Sequence, residues 1–208
     1  MIGIGVTHTS NRPKHLKLFL SQIKKHTKQP YKLHIATDIM NIAKAKNDCL
    51  WNLKECEHIF LYDNDTFPIQ DGWVEFFIQR TNYALYLNDR HNLSATLNGM
   101  NLYKDCGGCF IYIDKEKFNE VGYFNSEYKQ YGFEHAGFSQ RHFKGFYPCI
   151  PNTNEYLYSL DYQGEGNWGV KHKPSITDYK AMQESIDYNR KVFEKEINSD
   201  KIYYDYTP

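Results

Sequence analysis

The sequence lacks a hydrophobic run long enough to cross a membrane. No apolar stretch approaches the roughly 18 residues that a transmembrane helix needs. The N-terminus, MIGIGVTHTSNRP, has neither a leading basic segment nor a small-residue cleavage site. The 5 cysteines are odd in number, which fits a reducing compartment better than a disulfide framework. We therefore expect an unsecreted, soluble, cytoplasmic protein without integral membrane association.

The chain also lacks an excess of charge of either sign. Its formal net charge is +0, whereas proteins held to nucleic acid by charge alone usually carry a basic surplus. A local basic face stays possible, since the clusters 14–28 and 141–144 could contact the phosphates of DNA. Tyrosine, by contrast, is abundant at 18 residues, within a hydrophobic content of 41%. A chain of 208 residues with this composition can bury a core, and its length predicts a single compact domain.

Strand-like and helix-like patterns alternate through the first part of the chain. Ile2–Val6 is a short apolar run, Pro13 begins a segment with apolar residues three and four apart, and Tyr31–Ile35 alternates as a second strand. Ile42–Leu53 has a helical pattern, and Ile59–Tyr62 is a third strand. This order predicts an α/β fold with a mostly parallel central sheet and right-handed crossovers.

Polar residues follow each of these three predicted strands. They are Thr7–Arg12, Asp38, and the pair Asp63 and Asp65. Ligands of parallel sheets bind beyond the carboxyl ends of the strands, so the three groups are predicted to face one crevice. Two aspartates one residue apart can aim both carboxylates at a divalent cation, although Asp and Asn are also ordinary turn residues.

The second half predicts shorter elements. Phe110–Ile113 is a strand, a helix around Lys115–Val121 ends at Gly122, and Phe138–Phe143 is helical. Tyr162–Pro174 is polar and rich in glycine, which predicts a mobile loop. A C-terminal helix follows, with these apolar residues on one face: Tyr179, Met182, Ile186, Phe193 and Ile197.

Cys106 and Cys109 enclose Gly107 and Gly108 in a CxxC motif. A structural zinc site needs a second pair of ligands, and the other cysteines show no matching spacing. The better interpretation is that the two glycines let the backbone approach a bound molecule closely.

The order of these motifs resembles the GT-A fold glycosyltransferases that use nucleotide sugars, most of all glycosyltransferase family 2 and its relatives. The similar segments, spread from Gly3 to about His172, are VTHTSNRP, ATD, AKAKNDCL, LYDNDTFP, GGCFIYIDKEKFNEVGYFNSEY and YGFEHAGFSQR. The resemblance implies one GT-A-like domain. Residues 1–90 would bind the nucleotide sugar, 91–174 would form the acceptor side with a mobile loop over 162–174, and 175–208 a C-terminal helix and tail.

The resemblance implies a metal-dependent transfer of a sugar, hexosyl or pentosyl, from a nucleotide donor to an acceptor hydroxyl with inversion. The expected donor is a UDP-sugar, and the expected cofactor is Mn²⁺ or Mg²⁺, which would neutralise charge developing on the diphosphate. The acceptor is either a saccharide or hydroxymethylated cytosine in viral DNA. The alternatives are a sugar-nucleotide-binding module without turnover and, less favoured, a metal-dependent phosphoesterase.

The resemblance also implies roles for single residues. Asp65 would bind the cation, and Asp63 would reach it through water or bind the ribose, with His172 as a further metal ligand. Trp168 would close over the sugar, and Gly107 and Gly108 would face the acceptor. The residues implied to bind the donor are Thr7, Ser10, Asn11, Arg12, Asp38, Lys46, Asn47, Asp63, Trp168, Lys171 and Lys173.

Glu134 and His135 are the predicted catalytic residues. Relatives usually carry Glu-Asp here, so the match is incomplete. Either Glu134 is the general base, or it binds the acceptor while His135 takes the proton. The alternative is that Glu134 only caps a helix that begins at Gly137 and that His135 only packs.

Overall fold

The computed structural model describes residues 1–86, 93–97, 100–103, 106–141, 147–149, 153–171 and 178–208. Within these ranges, no helix has both the length and the apolar character needed to cross a bilayer. The strands are β1 (Ile2–His8), β2 (Tyr31–Thr37), β3 (His58–Asp63), β4 (Thr66–Pro68), β5 (Tyr83–Tyr86), β6 (Leu93–Leu97), β7 (Met100–Tyr103), β8 (Gly107–Asp114), β9 (Tyr147–Cys149) and β10 (Leu157–Ser159). The helices are α1 (Pro13–His26), α2 (Ile42–Leu53), α3 (Trp73–Ile78), α4 (Lys115–Val121), α5 (Glu134–Gln140), α6 (Thr153–Tyr156), α7 (Leu160–Gln163) and α8 (Tyr179–Ile197).

The central sheet has the strand order β2-β1-β3-β8-β5. β1 pairs in parallel with β2 and β3, whereas β8 is antiparallel to both of its neighbours, β3 and β5. β8 is therefore the one reversed strand of this sheet, which confirms the predicted mostly parallel α/β architecture. Two small sheets accompany it, β10-β4 and β6-β7-β9.

Glycine at position 5 is explained by the packing of α2 on β1. A Cβ added to Gly5 would lie 2.7 Å from the Cβ of Cys49 and 2.9 Å from a methyl group of Leu61. These distances are too short for carbon atoms, so a side chain here would push α2 away from the sheet. This close packing sets the distance between β1 and α2, and both elements have an end at the predicted crevice.

The C-terminal helix α8 shows its predicted apolar face only in part: Met182, Ile186 and Phe193 are half-buried, whereas the two end residues are exposed. Tyr179 is 72% exposed and Ile197 is 39% exposed. The residues that α8 buries are mostly polar instead: Ser185, Asn189, Val192 and Glu196.

The polar face of α8 is buried because it satisfies backbone groups of the segment before α5. Asn189 accepts a hydrogen bond from the Lys129 amide at 2.7 Å and donates to the carbonyls of Tyr131 and Gly132. The hydroxyl of Ser185 accepts from the Tyr131 amide. A buried backbone amide or carbonyl needs a partner, and here side chains of α8 supply it. The helix therefore holds this segment in place.

Arg141 and Glu196 form a buried ion pair that joins the end of α5 to α8. Their side chains are 4% and 1% exposed, with Nε 3.3 Å from Oε1. The guanidinium also donates to the carbonyls of Val121 and Tyr123. The sequence places Arg141 in a basic cluster that could contact DNA phosphates, which is wrong for Arg141 because its charge is buried and paired.

We expect Glu196→Gln to destabilise the protein by about 3–5 kcal/mol, because Arg141 would keep a buried charge without its partner. Chemical denaturation followed by circular dichroism measures the change. Glu194→Gln, on the exposed side of α8, is the control and should stay within about 0.5 kcal/mol of the wild type. Equal stability of both variants would contradict the role given to this ion pair.

Candidate functional site

A cavity of about 240 Å³ opens where β1 and β3 end. Thr7, His8, Thr9 and Arg12 line it from β1 and the following loop, and Asp63–Asp65 line it from the end of β3. Ile39, Met40 and Ile42 form an apolar wall, and Gln130, Tyr131, Asp161 and Met182 close the opposite side. The structure thus brings together polar groups that are far apart in sequence, at the edge where a parallel sheet binds ligands.

Asp63 stands at the carboxyl end of β3, directly across from Thr7. Its carboxylate accepts a hydrogen bond of 2.8 Å from the Thr7 hydroxyl. Burial raises the pKa of Asp63, Lys46 opposes that rise, and the neighbouring Asp65 adds to it. The raised pKa shows that the surroundings of Asp63 do not fully balance its negative charge. A cation beside it would be stabilised.

Asp65 is held by Arg12. A guanidinium nitrogen of Arg12 donates to Oδ2 of Asp65 at 2.7 Å, and the two side chains are 5% and 10% exposed. The Nε of Arg12 is buried without a hydrogen-bond partner among the described residues. Arg12 lines the cavity and brings a positive charge there, as a phosphate-binding residue would.

Asp38 shapes the loop beside the cavity. Its backbone adopts φ of 58°, a left-handed conformation that is uncommon outside glycine. Its amide donates to the carbonyl of His8, and its carboxylate accepts from the amide of Ser10 at 2.7 Å. This hydrogen bond from Ser10 is the main reason that the pKa of Asp38 is lowered. Asp38 thus ties the end of β2 to the loop after β1.

Asn11 and the hydroxyl of Thr9 belong to the same loop, in which Thr9 donates to the Asn11 side chain at 2.9 Å. The loop was predicted to bind the donor, and Thr7, Thr9 and Arg12 do line the cavity. Ser10 and Asn11 are exposed beside it.

Lys46 and Glu134 form a second buried ion pair, next to the cavity. The ammonium group lies 3.2 Å from Oε1 of Glu134 and donates to the carbonyl of Gly108 at 2.9 Å. The side chains are 2% and 7% exposed. Lys46 was predicted to contact the donor, but it is enclosed in the protein. Its ammonium group does not contact the predicted donor site, but its positive charge acts on Asp63 there.

Glu134 is the first residue of α5, and the helix begins there rather than at Gly137 or Phe138 as predicted. Phe133, with φ of 70°, turns the chain into the helix. The interpretation of Glu134 as a cap of a helix starting at Gly137 is therefore wrong. Burial raises the pKa of Glu134, but the charges of Lys46 and His135 outweigh that effect and hold the pKa below its ordinary value.

His135 covers the glycine pair of β8. Its Nδ1 lies 3.5 Å from Glu134, and its side chain is 27% exposed. A Cβ added to Gly108 would lie 2.5 Å from the His135 ring, and one added to Gly107 would lie 3.0 Å from Tyr162. The space over both glycines is thus filled by side chains of the protein. This differs from the predicted approach of the acceptor to the glycines.

Asn47 lies away from the cavity and is fully buried. Its side-chain amide donates to the carbonyl of Phe124 and accepts from the amide of the same residue. Both functions of the amide are used, so Asn47 anchors the Phe124 segment to α2. It does not face the predicted donor site.

Trp168 lies in the segment that was predicted to be a mobile loop. Its ring packs edge-on against Phe67, with 4.9 Å between centroids, and against Tyr158 at 5.4 Å. The first residues of the segment, Tyr162 and Gln163, complete α7. Trp168 is thus partly packed on the two-stranded β4–β10 sheet rather than free. Lys171 is exposed, and the predicted residues His172 and Lys173 lie outside the described residues.

Three further residues line the cavity: His8 falls within the predicted polar segment Thr7–Arg12, Asn64 lies between the two predicted aspartates, and Asp161 was not predicted. His8 bonds to Asn64, with 2.7 Å between Nδ1 and Nδ2, and burial lowers the pKa of His8. Asp161, on the far side, comes from a segment without a recognised motif. The position of Asn64 between two aspartates was a signal for a role in the turn, whereas Asp161 had none.

The oxygen-rich donor set fits a hard divalent cation in part. Asp63 and Asp65 share the cavity, and magnesium sites commonly consist of one or two carboxylates together with substrate phosphates and water. Within the part of the chain that the structure describes, no group of three or more His, Cys, Asp or Glu side chains is arranged to hold a metal by itself. Oxygens of a bound phosphate compound and water would add to these carboxylates in holding the cation.

Comparison with known proteins identifies the fold. No protein-family model and no curated protein matches the chain. Among solved structures, a mutant Drosophila β1,4-galactosyltransferase 7, in complex with manganese, UDP-Gal and xylobiose, is similar with a TM-score of 0.54 and 13% identity, over 90% of this chain and 81% of that one.

Staphylococcus aureus TarS in complex with UDP is similar with a TM-score of 0.54 and 15% identity, over 76% of this chain. The likeness spans 60% of that TarS chain, so it concerns a part of TarS. At these identities the comparisons establish architecture. The chain has the GT-A fold.

Proposed function

We propose that the protein is a metal-dependent glycosyltransferase that moves a sugar from a UDP-linked donor to an acceptor hydroxyl. The observation that carries the proposal is the cavity in which Asp63, Asp65 and Arg12 converge. It lies at the carboxyl ends of parallel strands in a GT-A fold. The similar structures contain UDP, or manganese with UDP-Gal, which supports a nucleotide-sugar donor.

The diphosphate of the donor would bind between the carboxylates of Asp63 and Asp65, through a cation, and the guanidinium of Arg12. When bound, a divalent cation such as Mn²⁺ or Mg²⁺ supplies the positive charge that stabilises a diphosphate leaving group. Asp65 would hold it, and Asp63 would either reach it through water or bind the ribose of the donor. Arg12 lines the cavity beside Asp65, and its guanidinium would donate to a phosphate oxygen.

The nucleoside would lie against the apolar wall of Ile39, Met40 and Ile42. The loop that carries the first two of these residues is held by Asp38, whose bonds to the β1 loop keep the wall beside the phosphate site. Trp168 and Lys171, with His172 and Lys173 next in sequence, remain our candidates for the segment that covers the sugar.

A saccharide is the acceptor that we carry forward, because the similar galactosyltransferase structure contains xylobiose. The DNA alternative is weakened, because Arg141 of one basic cluster is buried and cannot contact phosphate. Transfer of a hexosyl or pentosyl group with inversion remains part of the proposal. A two-metal phosphoesterase is less favoured, because no cluster of three metal-binding side chains exists among the described residues.

Glu134 and Lys46 lie next to the cavity and would affect the reaction without touching the substrate. Glu134 is enclosed and bonded to Lys46, so it would have to break the ion pair to touch a substrate. We therefore propose that the pair positions α5 and the backbone of Gly108. His135, which is more exposed, would face the acceptor and remains a candidate for taking its proton.

Binding of UDP-sugars should require a divalent cation. We expect isothermal titration of the protein with a panel of UDP-sugars to show binding in the presence of Mn²⁺ and its loss with EDTA. Asp65→Asn should weaken metal-dependent binding at least about 10-fold, because it removes the charge that holds the cation. Asp71→Asn, an exposed acid outside the cavity, is the control and should bind as the wild type does.

Unchanged binding in EDTA would remove the metal from the proposal, and no binding of any nucleotide sugar would overturn the proposal as a whole. Binding without release of UDP in any acceptor or water assay would support the alternative of a binding module.

Glu134→Gln should destabilise the protein by about 3–5 kcal/mol at neutral pH, because Lys46 would stay charged and buried without its partner. The folded-state pKa of Glu134 is depressed, so its stabilising effect is present above the ordinary pKa of about 4.3 and is lost as the pH falls below it. Denaturation curves should therefore show the largest difference from the wild type near neutral pH and a smaller one toward pH 3.

The double variant Lys46→Met with Glu134→Leu is the matched control for this pair. It removes both charges, so it should recover part of the lost stability. A Glu134→Gln variant as stable as the wild type would show that the ion pair does not support the site.

A further inference from the structure

Helix α1 presents lysines to solvent. The residues of α1 that are exposed are Pro13, Lys14, Lys17, Ser21, Lys24 and Lys25. With about 3.6 residues in each helical turn, these lysines fall within an arc of about 100° around the helix axis. The opposite side of α1 packs on the core through Phe19 and Ile23. We call Lys14, Lys17, Lys24 and Lys25 the α1 lysine face.

The α1 lysine face is not balanced by acidic side chains. The sequence of α1, PKHLKLFLSQIKKH, contains neither Asp nor Glu. Within the ranges that the structure describes, no lysine of the face forms an ion pair, whereas Lys28, just beyond the helix, pairs with Asp71. The exposed side of α8, by contrast, mixes lysines with acids such as Glu184 and Glu194. Because the whole chain has a formal net charge of +0, α1 is a local concentration of positive charge.

The charge at the start of α1 works against the helix. Lys14 stands in the first turn, where the positive end of the helix dipole disfavours a positive side chain. Lys17 follows three residues later, a spacing at which like charges repel each other. The first turn has no acidic residue to offset either effect. The helix dipole favours Lys24 and Lys25 near the C-terminal end, but it does not favour Lys14, so the stability of α1 does not explain the whole face.

Leucines border the α1 lysine face on both sides. Leu18 and Leu20 are half-buried, with part of each side chain packed on the core and the rest toward solvent. A lysine can lay its methylene stem along such apolar surface while its ammonium group reaches a polar partner. Lysines beside leucines suit the boundary between the headgroups and the acyl chains of a lipid bilayer.

The composition of the face favours lipid over DNA as its anionic partner. The face contains no arginine, which forms planar bidentate contacts with phosphate, and lysine is a flexible point charge. Its exposed side also offers none of the Arg, Asn or Gln side chains with which helices read base edges. Clusters of about four to eight basic residues on an amphipathic helix are typical of binding to anionic lipids.

We propose that the α1 lysine face binds the anionic surface of a lipid bilayer, with α1 lying parallel to that surface. The attraction is between ammonium groups and lipid phosphates, so it needs no segment that crosses the bilayer. Because α1 begins directly after Arg12, which lines the cavity, the bound bilayer would lie beside the loop between β1 and α1. The proposal does not depend on the proposed glycosyl transfer.

Co-sedimentation of the protein with lipid vesicles tests the proposal. We expect the wild type to bind vesicles of phosphatidylglycerol mixed with phosphatidylcholine and to stay in solution with phosphatidylcholine alone. Binding should weaken as sodium chloride is added, because salt screens exposed charges. Lys17→Gln combined with Lys24→Gln should lower the partition coefficient about 25-fold, at about fivefold for each lysine removed.

Two further double variants separate the face from general charge and from folding. Lys180→Gln with Lys191→Gln removes the same charge from exposed positions of α8 and should bind within about twofold of the wild type. Lys17→Arg with Lys24→Arg keeps the charge of the face and should also bind as the wild type does. All of these variants should melt as the wild type does, because the four positions are exposed.

Three results would overturn the proposal. The first is a wild type that does not sediment with the anionic vesicles, and the second is an equal loss of binding in the α8 control. The third is tighter binding to duplex DNA than to the vesicles, lost in the same Lys17 and Lys24 variant, which would make the face a nucleic-acid surface. Lys17 and Lys24 lie outside the cavity, so their Gln variant should bind UDP-sugars as the wild type does. Failure of the proposed function is thereby measured separately.

Discussion

The parallel pairing of β1 with β2 and β3 is the constraint on which the site depends. Strands that run in the same direction end at the same edge of the sheet, so the residues that follow them lie close together. Thr7 is opposite Asp63 in this register, and the two side chains are hydrogen-bonded. The amide of Asp38, at the end of β2, reaches back to the carbonyl of His8. A single register thus brings three distant segments together at one cavity.

Helix α5 is held by one buried ion pair at each end. At its start the helix region supplies the negative charge, and at its end it supplies the positive charge. Its first residue, Glu134, pairs with Lys46 of α2, and Arg141, directly after its last residue, pairs with Glu196 of α8. A negative charge at the start of a helix and a positive charge at its end both oppose the charges of the helix dipole, so both placements are favourable. A helix of 7 residues has little stability of its own. Its position beside the cavity is therefore set by charges on its neighbours.

Local patterns in the sequence predicted the elements whose residues face one continuous core. Ile42–Leu53 was predicted and observed with the same bounds, and the polar strand ends do meet at the cavity. The apolar pattern failed where polar side chains are buried, as in α8. The apolar residues of α8 were assumed to face inward, but its amide and hydroxyl groups are buried because they bond to backbone at 129–132. Asp161 could not be predicted, because its place depends on pairing between β4 and β10 across a long stretch of sequence.

The polar contact surface of α8 has a thermodynamic consequence. Detachment of this helix would expose the hydroxyl, amide and carboxylate groups of Ser185, Asn189 and Glu196 together with the apolar side chains of Val192 and Phe193. Exposure of polar surface lowers the heat capacity, whereas exposure of apolar surface raises it. Local opening of α8 should therefore carry a smaller heat-capacity change than the detachment of a wholly apolar helix face of the same area. Since Met182 of α8 forms part of the cavity wall, such an opening would also widen the cavity.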